Sequence, residues 1–154
     1  MRSRIQITAS YDQDADACFA DAIRFDELQD AMRGLATYDG FAPGAVAEAG
    51  ATYVVDITLF GLFPVTAHTM YVEQLDSAAR ELQSRERHKG VTAWDHHLSV
   101  QPDGNGGCMW TDTVEIAAGW QTPMVARFAA YTYRYRHRKR NARAIHASVR
   151  ALRA

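Results

Sequence analysis

Four side chains in this sequence have the chemistry to move protons or hold polar ligand groups: His68, Glu86, His96 and Asp112. A histidine beside a carboxylate is tuned toward neutral pH and can act as general acid or base. No nucleophile is matched to such a pair. The six histidines also raise the question of a metal. His96 and His97 are adjacent, so on a strand they point to opposite faces and cannot share an ion. His137 and His146 are too far apart on a helix to chelate together. No metal and no cofactor is expected. Cys18 and Cys108 lack C-x-x-C spacing and read as two buried thiols of a protein in a reducing cytoplasm. There is no G-x-G-x-x-G, P-loop or G-x-S-x-G. Gly104, Gly106 and Gly107 belong to a hairpin and not to a phosphate-cradling strand-to-helix turn.

Positioning these groups requires strands. Residues 4–11 alternate apolar and polar, as a half-buried strand does. Asp14 and Asp16 can cap a short helix carrying Phe19, Ala22 and Ile23. Phe25, Leu28 and Met32 follow at helical spacing and stop at Gly34. Residues 35–50 read as loop with a short strand near 45–49. Strands are then expected over 51–60, 65–75, 80–88, 91–101 and 108–117. The run Asp103-Gly-Asn-Gly-Gly107 between the last two is a strong hairpin signal.

Strand parity sorts the faces. With Trp94 pointing inward, His96, Leu98 and Val100 share its face, while Asp95, His97 and Ser99 face out. On the next strand Trp110, Asp112, Val114 and Ile116 point inward. His68, Met70 and Val72 take the inner face earlier, with Ser84 and Glu86. Tyr53 joins them as a candidate ligand contact.

Thr122-Pro123 is read as a helix start, hydroxyl cap then proline. Met124, Phe128, Tyr131, Tyr135, Arg138, Ala142, Ile145, Val149 and Leu152 recur at spacings of three and four, which predicts one helix from Pro123 to about Leu152. Phe128, Tyr131, Tyr135 and Arg138 are the helix residues expected at a ligand. Arg138 interrupts the stripe, and a buried guanidinium needs a partner. Asp112 or Glu86 is the natural one.

The chain has 154 residues, 47% hydrophobic, enough for one domain spanning 1–154 with a sizeable core. No apolar run is long enough for a membrane span, and the N-terminus lacks the apolar segment of a secretory signal. Charge is uneven. Nine of the seventeen basic residues follow Glu115, where no acid occurs, so the first 115 residues carry −10. The basic run 134–143 is read as a solvated helix face, with Arg134, Arg136 and Lys139 off the apolar stripe. Nucleic acid is not expected; attraction to a membrane surface is the next possibility.

The order of elements, strand, two short helices, antiparallel strands, long helix, resembles the START/Bet v 1-like superfamily, whose bacterial members are called SRPBCC or polyketide-cyclase-like proteins. The residues agree. Glu86-Arg-His-Lys-Gly90-Val-Thr-Ala-Trp94-Asp-His96 is similar to that family's acid, glycine and W-x-H pattern. Gly107 with Thr111-Asp112 resembles its glycine, threonine, aspartate strand. Tyr133-Arg-Tyr-Arg-His-Arg138 resembles the middle of its last helix. The resemblance implies an α+β helix-grip fold: a curved antiparallel sheet of six or seven strands around the C-terminal helix. It also implies a cavity between them that takes a lipid, polyketide or other apolar molecule.

Three readings of the polar residues stay open. Arg138, Asp112 and His96 form a buried cluster fixing the helix on the sheet; or His96 and Asp112 contact a ligand's polar end; or the pair performs acid–base chemistry. The function expected is small-ligand binding, with an enzyme of cyclase/aromatase or dehydratase type as the alternative. A third reading is an interaction protein whose cavity is filled by side chains. A homodimer through sheet edges or the convex face is left open.

Overall fold

The computed structural model describes residues 1–152; Arg153, counted above among the basic residues, lies outside them. The first strand, β1 (Arg2–Tyr11), is followed by α1 (Ala15–Ala22) and α2 (Phe25–Met32). Asp14 caps α1, its carboxylate accepting from the backbone of Asp16 and Ala17. Then come β2 (Ala36–Asp39), β3 (Thr52–Leu59), β4 (Phe63–Asp76), β5 (Glu81–His88), β6 (Val91–Pro102) and β7 (Cys108–Ala117). The chain ends with α3 (Thr122–Lys139) and β8 (Ala144–Leu152). All eight strands form one antiparallel sheet in the order β2-β3-β4-β5-β6-β7-β1-β8.

Six strands stand where alternation placed them. The two edges differ. The short strand expected near 45–49 is instead β2 at 36–39, and Val46 makes only a lone bridge to Arg24. The larger correction is at the C-terminus. The helix does not run to Leu152; it stops at Lys139, and 144–152 pair with β1 as an edge strand. Asn141 supplies the stop by adopting a left-handed conformation (φ 63°). The Ala142 N–H then reaches the His137 carbonyl and the Asn141 N–H that of Arg138, which satisfies the last turn. Ile145 and Val149 fit a strand as well as a helix, so spacing alone could not separate the two.

The helix is also turned relative to the expected stripe. Its buried residues are Thr122, Ala126, Ala129, Ala130, Tyr133, Arg136 and His137. Alanines let α3 press closely on β1 and β7, where Ile5, Ile7, Val114 and Ile116 are fully buried against them. The large side chains Met124 and Tyr131 consequently face away from that contact and are exposed. Thr122 is not a cap. Its hydroxyl donates to the Gly119 carbonyl and accepts from the Ala118 N–H, closing the turn before the helix.

This rotation exchanges two arginines. Arg138 is exposed, with its guanidinium 5.9 Å from the Tyr131 ring. Arg136 is buried, donates to the Ala22 carbonyl and pairs with Glu27 at 3.5 Å. Arg140 also pairs with Glu27, and both guanidiniums lie 4.7 Å from the Trp110 ring. Tyr135 sits half-buried and donates to the Arg33 carbonyl, holding the end of α2.

Arg140 keeps Glu27 paired when Arg136 is removed, so Arg136→Ala should cost the contacts to the Ala22 carbonyl and the Trp110 ring, about 2 kcal/mol. Arg138→Ala should leave it near the wild-type value. Urea denaturation of both variants checks this; equal losses would contradict the helix orientation.

Candidate functional site

On the β1–β7 side the helix seals the sheet. On the other side it does not. Between β3–β6, α2 and α3 lies a cavity of about 510 Å³. Its walls are mostly apolar and aromatic: Phe25 from α2, Tyr38 from β2, Phe41 from the loop after it, Trp94 from β6, Phe128 and Tyr133 from α3. Phe25 and Phe41 stack with ring centroids 4.0 Å apart.

One wall is polar. Its sheet residues are His68 on β4, Ser84 and Glu86 on β5, and His88 and His96 beyond them. Antiparallel pairing brings Ser84 opposite His96 and Glu86 opposite Met70 and Trp94, so alternation alone gathers these groups on the concave face. Glu86 accepts from the Ser84 hydroxyl at 2.7 Å and from His68 Nε2–H at 2.9 Å. Burial alone would raise the Glu86 carboxyl, but His68, the charge of His96 and the Ser84 hydroxyl outweigh it and hold the group below its ordinary value. His88 Nδ1 lies 3.1 Å from His68 Nδ1; burial and the charge on His68 push the His88 imidazole down.

Behind this wall sits Asp112, fully buried. A carboxylate only accepts, so both histidines touching it donate: His96 Nε2–H at 2.8 Å and His137 Nε2–H at 2.9 Å. Burial would raise Asp112, but these two hydrogen bonds and the histidines' charges outweigh it and hold the carboxyl well below the usual range. Tyr11 lies on the far side of His137, its hydroxyl 2.5 Å from Nδ1. Burial raises the Tyr11 phenol far above its ordinary value, so it stays protonated and its hydroxyl shares a hydrogen bond with His137 Nδ1. With its Nε2 committed to Asp112, His96 turns Nδ1 toward Glu86 Oε1, 3.8 Å away. A run of polar groups thus extends from Tyr11 in the core through His137, Asp112 and His96 to Glu86, His68 and His88 at the cavity. Among the described residues, no three His, Cys, Asp or Glu side chains are placed to hold a metal ion.

Of the thirteen residues expected at a ligand, seven line the cavity: His68, Met70, Glu86, Trp94, His96, Leu98 and Phe128. Asp112 and Trp110 point inward as parity required but lie beneath α3 in the sealed half, fully buried. Tyr53 packs on Phe25 and donates to the Val46 carbonyl. Tyr131, Tyr135 and Arg138 miss the cavity because the helix is turned. The helix residue that meets Asp112 is therefore His137, not Arg138. The sequence reading missed Tyr133, Arg136 and His137 for one reason: it followed large apolar side chains, whereas Ala126, Ala129 and Ala130 mark the contact face, and Tyr133 and His137 continue it. Cys18 and Cys108 are both buried and free, as expected.

Asp112 contributes stability that is complete above the unfolded carboxyl pKa of about 4 and is lost as pH falls through its depressed folded value. Asp112→Asn should cost about 3 kcal/mol at neutral pH, since it leaves two buried imidazole N–H groups sharing one acceptor. That deficit should shrink in urea melts below pH 4. A pH-independent deficit would contradict a native carboxylate.

Several solved structures share the fold. The protein Ms6760 from Mycobacterium smegmatis superposes with a TM-score of 0.72 at 9% identity, covering 88% of this chain and 86% of that one. Norcoclaurine synthase from Thalictrum flavum, solved in complex with dopamine and hydroxybenzaldehyde, gives 0.63 at 16% identity over 90% and 86%. The protein CV1439 from Chromobacterium violaceum gives 0.68 at 10% identity over 88% and 92%. These likenesses show a shared helix-grip fold, a curved antiparallel sheet around a helix. No curated protein matches the sequence. A family model covers residues 31–144, most of the strands and all of α3, and the chain belongs to that family, described as a domain of unknown function, DUF8410.

Proposed function

We propose that the chain binds a small, largely apolar molecule, of lipid, polyketide or aromatic type, carrying one hydrogen-bonding group. The observation that supports this is the cavity of about 510 Å³, within the range of about 300–1,000 Å³ that small-molecule sites occupy. Apolar and aromatic side chains line most of it, and the sheet's polar groups gather on one wall. The apolar body would lie against Phe25, Phe41, Trp94 and Phe128. Its polar atom would meet His96 and Glu86, whose 3.8 Å separation leaves room for a hydroxyl that donates to either. Norcoclaurine synthase, which shares the fold, holds small aromatic molecules in its complex.

Acid–base catalysis of cyclase or dehydratase type is the second reading. One observation favours it: the His96 Nε2–H is fixed by buried Asp112, which leaves Nδ1 toward the cavity as the group that could exchange a proton. A variant that keeps ligand affinity but loses turnover would separate catalysis from binding.

Naphthol and naphthalene titrations test the binding reading. Both should bind, and Met70→Trp, which fills the cavity, should weaken both by about tenfold or more without lowering the melting temperature. His96→Gln should weaken naphthol by about 1 kcal/mol and leave naphthalene unchanged. Failure of either probe to bind, with no small molecule retained in native mass spectrometry, would defeat the proposal.

A further inference from the structure

The cavity's rim carries an exposed apolar surface that ligand binding does not explain. Phe60, Phe63 and Met124 all line the mouth and are exposed by 48%, 61% and 61%. Leu62, between the two phenylalanines, is 75% exposed. The turn joining β3 to β4 has Phe60 and Gly61 both at positive φ, 52° and 67°. The Leu62 N–H bonds the Leu59 carbonyl across it. Asparagine or glycine fills the first of those positions without strain; a phenylalanine does not. Phe60 keeps a partial contact within the chain despite its strained backbone, but Leu62 and Phe63 expose most of their apolar surface to solvent.

The helix beside this turn adds charge. Phe60 meets Phe128 of α3, with ring centroids 6.3 Å apart. On the outward face of α3, spacings of seven and four align Arg127, Arg134 and Arg138 with Met124 and Tyr131. The helix contains no acidic residue. The neighbouring arginines that form ion pairs are Arg136, Arg140 and Arg143. Among the described residues Arg127, Arg134 and Arg138 form none. The Arg138 guanidinium lies 5.9 Å from the Tyr131 ring. Exposed apolar side chains with unpaired arginines and a tyrosine beside them are the composition that suits a bilayer interface, apolar groups for hydrocarbon and arginines for anionic headgroups.

We infer that the β3–β4 turn and the exposed face of α3 dock on an anionic lipid bilayer, with the cavity mouth toward the membrane. Nucleic acid would use the arginines but gives no role to Leu62 and Phe63. The docking surface does not depend on what the cavity holds.

Co-sedimentation with vesicles tests this, comparing phosphatidylcholine alone with phosphatidylcholine containing phosphatidylglycerol. The chain should bind the anionic vesicles and lose binding as salt rises. Leu62→Asp with Phe63→Asp should weaken binding by about tenfold or more, as should Arg127→Glu with Arg134→Glu and Arg138→Glu. Every one of these side chains except half-buried Arg134 is exposed, so melting temperatures should hold and report folding. Arg150→Glu on β8 should leave binding unchanged. Three outcomes would overturn the inference. The first is no binding to anionic vesicles at low salt. The second is binding that ignores both variants. The third is retention of a DNA duplex that depends on the arginines but not on Leu62 and Phe63.

Discussion

A single buried carboxylate holds the two halves of this structure together. Asp112 stands on β7 and accepts one hydrogen bond from the sheet, through His96, and one from the helix, through His137. An ionised group there is tolerable because both oxygens are satisfied and two imidazoles face it. The clamp lies at the boundary between two regimes. On one side alanines press α3 onto β1 and β7 with no space left. On the other the helix stands off the sheet and the cavity opens. Rotation of α3 about its axis would break the His137 bond, so the depth of the cavity and the orientation of His96 are fixed by the same contact.

The strands were legible because burial on one face leaves a period-two trace, and parity correctly put His68, Glu86, His96 and Asp112 on the concave side. The helix was harder to read. Hydrophobic periodicity weighs large side chains, and here the tightest contact is made by Ala126, Ala129 and Ala130, whose small size is what allows it. Met124 and Phe128, which dominated the pattern, line the cavity mouth instead. The stop at Asn141 was equally hidden, because a left-handed asparagine leaves little mark in a run rich in arginine. From that one misplacement followed the choice of Arg138 over Arg136 and the omission of His137 from the polar cluster.

The basic segment has two parts with different physical tasks. Arg136, Arg140 and Arg143 are paired within the chain, on Glu27, Trp110, Asp12 and Asp103. Arg127, Arg134 and Arg138 remain outside. A count of charges along the sequence merges the two groups; only the helix orientation separates structural cations from those free to meet a partner.

The return of the chain as β8 changes the mechanics of the helix. A terminal helix with a free end is a lid that can swing. Here β7 leads into α3 at one end, and the pairing of β8 with β1 secures the other. The helix is a beam pinned at both supports. Breathing that admits a molecule of the cavity's size then falls to the opposite wall, where the segment between β2 and β3 that carries Phe41 lies outside the strand ladder.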